Sequence, residues 1–230
     1  MNKFNISNKL ISFNKHNSSI KIPKIIKDLR EGKSIAIVSD AGMPGICDPG
    51  EDIVRCLKSE GIDIICVPGA CAAITALVSS GFASSRFLFL GFLPKKKKDR
   101  ERILLEISNE EKTTILYEAP HRLKNLLEEL FTFCGGDREI EVTRELTKKF
   151  EQHIGNNIEK VISYFEGKEV IGEITIIIKG IKKITNKEVN LSDLRKELND
   201  LIDAGLSLSD ASKYLAKKNG IKKSLIYNLK

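Results

Sequence analysis

The chain has 230 residues, 41% of them apolar and 30% charged, with a net charge of +7: an ordinary globular mix, long enough for one large domain or two small ones. Its longest apolar run, "FLFLGFL" at 87–93, is a strand's length and far short of the roughly 20 residues of a membrane span, so no membrane partner is expected. The N-terminal stretch "MNKFNISNKLISFNKHNSS" lacks the apolar core of a secretory signal, and the expected location is cytoplasmic.

The first clear element is "GKSIAIVSD", a near-continuous apolar run that predicts a strand buried on both faces of a parallel sheet. The "EGKS" within reach of it is not a phosphate loop, because no glycine sits five residues before Lys33 and a strand rather than a helix follows. Next comes "VSDAGMPGICDPG", where Gly42, Gly45 and Gly50 stand with Pro44, Pro49, Asp40 and Asp48. Glycines let a backbone approach a ligand and prolines hold the loop's shape; this is either a ligand surface built from main chain or a structural turn.

"PGEDIVRCLKSEG" predicts a helix with acids in its first turn and Gly61 as its stop, and "IDIICVPG" a second buried strand. "ACAAITALVSSG" predicts a small-residue helix ending at Gly81. This alternation is that of an α/β fold. A seam near 81–86 separates it from a second α/β half, and clefts between halves favour ligands.

In that second half "RFLFLGFLP" and "TTILYEAP" read as strands, each followed by a helix: "KKKKDRERILLEI", then "HRLKNLLEELFTF". "REIEVTREL" alternates as an edge or antiparallel strand would, with "FEQHIG" as its partner. "NNIEKVISYF" predicts a short helix and "GEITIIIKG" a closing strand. Residues 181–190 read as a linker.

Beyond the linker, 191–230 reads as a small all-helical module resembling a helix-turn-helix. Ser192 is its first candidate cap, Gly205 its first break, and Ser207 or Ser209 starts a second helix. Residues 181–230 carry 11 Lys+Arg against 6 Asp+Glu, so five of the seven net positive charges lie there. Such a patch suits an anionic partner such as RNA, while a packing or dimerisation bundle fits the pattern equally well.

Five cysteines without a CxxC pair suit reduced thiols, and three scattered histidines give no metal-ligand spacing, so no metal is expected.

Three stretches together, "VSDAGMPGICDPG", "VPGACAAITALVSSG" and "YEAPHRL", resemble the signature blocks of the ribosomal small-subunit RNA 2′-O-ribose methyltransferase I family, a branch of the tetrapyrrole methylases. "RFLFLGFLP", "TRELTKKFE" and "GEITIIIKG" match later blocks in order, and "YEAPHRL" with "RELTKKFE" favours the ribosomal branch. The resemblance implies a two-lobed tetrapyrrole-methylase-like α/β fold, divided here at 1–82 and 83–180, plus the helical module. The family's opening strand with its "TPIGNL"-type loop and its "EDTR" segment have no counterpart, so the N-terminal lobe is expected to lack its first strand and first cofactor loop. Met43 and Ala119 stand where the family usually has threonine and serine.

The resemblance also implies that S-adenosylmethionine lies between the lobes, held largely by backbone. Asp40, Ala41, Gly42 and Pro44 would form one wall; Gly69, Ala72 and Ala73 another, where free N–H groups can bind the methionine carboxylate; Tyr117, Glu118 and Glu173 belong to the second lobe. The implied substrate is a cytidine of small-subunit ribosomal RNA. His121, Arg122, Arg144, Glu145 and Lys148, with Lys217, Lys218, Lys222 and Lys223 of the module, are the candidate RNA contacts. No residue stands out as the catalytic base. A homodimer is expected. Two alternatives stay open: a methylase of a tetrapyrrole or other small molecule, and a truncated, inactive RNA-binding remnant.

Overall fold

The computed structural model describes residues 5–182, 191–219 and 223–229, which divide into two units, 1–180 and 181–230. In the first, helix α1 (Ser18–Arg30) was not anticipated, because Pro23 inside it removes one N–H from the ladder and masks its pattern. Ile22 and Ile25 of α1 nevertheless pack on Ile53 and Leu57 of α2 (Glu51–Ser59).

The two runs expected as buried parallel strands do not form them. Residues 33–40 and 62–69 belong to no ladder, and most of their apolar side chains are exposed: Val38 65%, Ile65 88%, Val67 76%. An apolar run records a demand for burial, but a strand exists only where its N–H and C=O groups are paired in a ladder, and neither segment is part of one.

The sheet lies wholly further along the chain. Strands β1 (Phe87–Phe92), β2 (Thr113–Glu118), β3 (Glu139–Arg144), β4 (Gln152–Asn157) and β5 (Ile174–Ile178) stand in the order β1-β2-β5-β3-β4. Only β1–β2 is parallel; β2–β5, β5–β3 and β3–β4 are antiparallel. The edges are therefore β1 and β4; β3, read as an edge or antiparallel strand, is antiparallel to both neighbours and lies inside the sheet.

Alternate residues of β5 point to opposite faces, as strand geometry requires. Ile176 and Ile178 join the larger core with Leu104 and Ile107 of α4 (Lys97–Asn109), Leu123, Leu126 and Leu130 of α5 (Leu123–Cys134), and Val161 of α6 (Ile158–Phe165). Ile177, with Ile115 of β2, packs instead on Ala73, Ala76 and Leu77 of α3 (Ala72–Ser80). Helix α3 stops at Gly81, whose φ of +68° is the left-handed conformation that suits glycine.

Topology now places the site. Because β5 runs against β2 and β3, its first residues sit beside their last: Ile174 pairs with Glu118 and with Arg144. The end of β2, the turn after β3 and the start of β5 meet at one end of the sheet.

On the β3–β4 pair, His153 Nδ1 lies 2.9 Å from Glu141 Oε1 and Nε2 lies 2.8 Å from Glu151 Oε1. Both carboxylates favour the imidazolium, Glu151 more strongly, and raise the histidine's pKa above its ordinary 6.5. A raised folded-state pKa stabilises the fold fully below the unfolded value, and that contribution fades as pH rises through the folded one. The melting temperature is expected to fall modestly from pH 6 to pH 8, and this dependence to flatten in His153→Gln; an equal slope in the variant would refute the assignment.

In the second unit, α7 (Leu191–Asp203), α8 (Leu208–Asn219) and α9 (Lys223–Tyr227) enclose Leu194, Leu198, Ala211, Leu215 and Ile226. Helix α7 already begins at Leu191, so Ser192 lies inside its first turn rather than capping it. Ser207 caps α8: its Oγ accepts the Asp210 N–H at 3.1 Å and donates to Asp210 Oδ2 at 2.6 Å.

Candidate functional site

At that end of the sheet lies a cavity of about 420 Å³, within the range of small-molecule sites. Its floor comes from Phe92, Tyr117 and Glu118 at the strand ends, with Ile174 and Thr175 of β5 beside them. One wall is the loop of Ala41, Gly42 and Met43; the next is Ala70, Cys71 and Ala72 at the start of α3. The opposite wall is Leu146, Thr147 and Lys148, with Gly172 and Glu173.

Small residues supply the first two walls, which are largely main chain. Gly42 has φ +73°, and a Cβ there would stand 3.4 Å from the Ala70 carbonyl oxygen on the facing wall. Ser39 Oγ lies 3.1 Å from the carbonyls of both Ala41 and Gly42 and ties the loop to its stem. Gly91 gives the Cys47 thiol its place, since a Cβ at 91 would lie 2.7 Å from that sulfur. Burial pushes the Cys47 thiol up, away from the reactive thiolate.

Tyr117 Oη accepts the backbone N–H of Ala73 at 3.1 Å, and its ring packs edge-on against Phe89. Burial chiefly pushes its pKa up to about 12, so the phenol keeps its proton. Glu118 is fully buried: Oε1 accepts the Ala119 N–H at 2.8 Å and meets Arg122 Nη2 at 2.5 Å, while Arg100 Nη2 stands 3.5 Å from Oε2.

The far wall is braced by charge. Glu145 Oε1 accepts from Lys148 Nζ and from the Glu173 N–H, each at 2.9 Å, and Lys148 also meets Glu173 Oε2 at 2.9 Å. Glu145, then Glu173, raises the lysine's pKa, so it remains an ammonium ion. Glu145 and Thr147 both have positive φ, +53° and +65°, in this tight turn.

Six of the anticipated cofactor residues line this one cavity: Ala41, Gly42, Ala72, Tyr117, Glu118 and Glu173. Asp40, Pro44, Gly69 and Ala73 do not line it, and the N–H of Ala73 is occupied by Tyr117. Of the anticipated RNA contacts, Lys148 lines the cavity, and His121 with Arg122 lines a neighbouring one. Arg144 is spent on bracing: it donates to Gln152 Oε1 and to the Ile171 and Phe150 carbonyls. In the helical unit Lys218 pairs with Glu197, Lys223 donates to Ser209 Oγ at 2.8 Å, and Lys217 is exposed. Lys222 lies outside the described residues.

The sequence reading missed Cys71, Phe92, Thr147 and Thr175. The described residues contain no cluster fit for a metal ion and no helix long and apolar enough to cross a membrane.

The profile of the tetrapyrrole (corrin/porphyrin) methylases matches residues 8–162. The ribosomal RNA small subunit methyltransferase I of Synechocystis sp. is 40% identical over 226 residues, covering 98% of this chain and 81% of its own. That of Bacillus subtilis is 37% identical over 232 residues, 98% of this chain and 78% of the relative. Among solved structures, a cobalt precorrin-4 methyltransferase superposes with a TM-score of 0.52 at 17% identity over 69% of each chain, and the methyltransferase CobJ with 0.54 at 17% over 70% of each. The chain belongs to the ribosomal RNA small subunit methyltransferase I family, within the tetrapyrrole methylases.

Proposed function

We propose that the chain transfers a methyl group from S-adenosylmethionine to the ribose 2′-hydroxyl of a cytidine in small-subunit ribosomal RNA, acting in the cytoplasm as a homodimer. The observation that carries this reading is the cavity of main-chain walls at the sheet's end in a chain 40% identical to a ribosomal RNA methyltransferase. The residues fit the cofactor: a cradle with no side chain at Gly42, aromatic surface from Phe92 and Tyr117, and polar groups on Thr147 and Glu173.

When bound, the cofactor supplies an electrophilic methyl group on a sulfonium. The backbone of 41–43 and 70–72 would hold and orient it, and much of the catalysis would lie in that positioning. The Tyr117 phenol stays protonated and is no base; the Lys148 ammonium stays charged and would stabilise a hydroxyl oxygen gaining negative charge. The hydroxyl proton must leave, and Asp48 and Glu173 are the carboxylates of the cavity wall that arginines do not enclose.

Incubation with small-subunit RNA and labelled cofactor, followed by nuclease digestion, is expected to yield 2′-O-methylcytidine; label found only on a base would overturn the reading. Residues 191–230 are assigned a docking role through Lys217 and its neighbours. Deleting them is expected to lower the log–log salt slope of RNA binding by about 0.7–0.9 per lost phosphate contact, with cofactor affinity and the sedimenting dimer unchanged. Loss of the dimer with an unaltered slope would make the module a dimerisation bundle instead.

A further inference from the structure

A second cavity, about 560 Å³, adjoins the first, and Ala119 lines both. Lys95, Arg100, His121, Arg122 and Asn125 surround it. Arg100 is held by Glu129, its Nε at 2.9 and 2.8 Å from the two carboxylate oxygens, and Arg122 by Glu118. Lys95, His121 and Asn125 are exposed, and their side chains make no hydrogen bond or ion pair within the described residues. Arg122 Nε–H also lacks an acceptor, but that atom is buried and does not reach the cavity surface. Lys95, Arg100 and Arg122 are three permanent cations against the two carboxylates of Glu118 and Glu129, and the exposed unpaired side chains of Lys95, His121 and Asn125 can all donate: this is a surface for an oxyanion.

We propose that this cavity holds the RNA phosphodiester adjacent to the ribose that is methylated. The proposal rests on the 2′-O-methylation reading and names where the substrate strand is gripped. In RNA the 3′-phosphodiester is attached to the carbon next to the one bearing the 2′-hydroxyl. A strand that presents that hydroxyl to the first cavity therefore places a phosphate immediately beside it. Ala119, whose side chain ends at Cβ, separates the two sites with little bulk. The first two residues of the grip, Lys95 and His121, come from the chain following β1 and the 3-10 turn at Pro120–Arg122, both anchored by sheet strands.

The test is calorimetry with S-adenosylhomocysteine present, comparing cytidylyl-3′,5′-cytidine with cytidine, which lacks the phosphodiester. The wild-type chain is expected to prefer the dinucleotide by about tenfold, as a pair of charge-assisted hydrogen bonds allows. In the double variant Lys95→Ala/His121→Ala this preference should vanish, with S-adenosylhomocysteine affinity and melting temperature unchanged; both residues are exposed and outside the Glu118 network. A variant that keeps the preference, or a wild-type chain that shows none, overturns the proposal. Methyl transfer is measured in parallel. Transfer without dinucleotide preference removes the phosphodiester site alone, whereas preference without transfer supports that site and removes the methylation reading alone.

Discussion

Glu118→Ala is expected to destabilise the 1–180 unit by about 3–5 kcal/mol, the cost of removing one partner from a buried ion pair. The Glu118 side chain has no exposed surface, and those of Arg100 and Arg122 are only 13% and 25% exposed. Its carboxylate at the end of β2 is the negative group between two guanidinium groups on α4 and at the start of α5, and it also accepts the Ala119 N–H. Without it Arg122 loses its only ion-pair partner among the described residues, and two like charges are left facing each other across the buried space the carboxylate filled. Arg100 keeps Glu129, which sets a ceiling on the damage. Glu118→Gln preserves shape and one acceptor, so its loss should be smaller. Urea unfolding of the three proteins decides the matter: a cost below about 1 kcal/mol for the alanine variant, the range of exposed pairs, would show that the network is merely a surface one.

The elements after residue 86 were legible because each apolar run there is both a demand for burial and a strand or helix with neighbours. "TTILYEAP" and "GEITIIIKG" became adjacent strands, with Ile115 and Ile177 on one face and Leu116, Ile176 and Ile178 on the other. "GKSIAIVSD" has the same apolar signal but no paired partner, and pairing is a property of a second segment that a local pattern does not report. Helix α1 was hidden for the opposite reason: its burial pattern is real, and Pro23 speaks against it locally. At the site, the glycine-rich loop and the "YEAP" segment were visible because glycine and proline advertise unusual backbone. Phe92, Thr175 and Cys71 carry no such mark; the sheet puts Phe92 and Thr175 on either side of Tyr117, through the parallel β1–β2 and antiparallel β2–β5 pairings, and the start of α3 brings Cys71. Arg122, a candidate RNA contact in the sequence, is committed to Glu118 by one terminal nitrogen, a pairing that only the fold reveals.

Gly42→Val is expected to abolish binding of S-adenosylhomocysteine, a loss of about a hundredfold or more, which corresponds to roughly 3 kcal/mol. Two effects combine. Gly42 has φ +73°, where a β-branched residue is strongly disfavoured. Its Cβ would face the Ala70 oxygen at 3.4 Å, so the two γ-methyl groups of valine must occupy the gap between the loop and the start of α3, which is the cavity itself. The loop contributes no residue to the cores around the sheet, so the 83–180 elements should stay folded and the melting temperature should move little. Strain and blockage are separable within the same loop. Gly45 has φ +83°, nothing within 4 Å of a Cβ, and does not line the cavity, so Gly45→Ala carries the strain without the obstruction. Calorimetry should find Gly45→Ala close to wild type, Gly42→Ala intermediate and Gly42→Val without measurable heat. If Gly45→Ala weakens binding as much as Gly42→Val, loop strain is the cause and the wall is elsewhere. If Gly42→Val binds as well as wild type, this loop does not hold the cofactor.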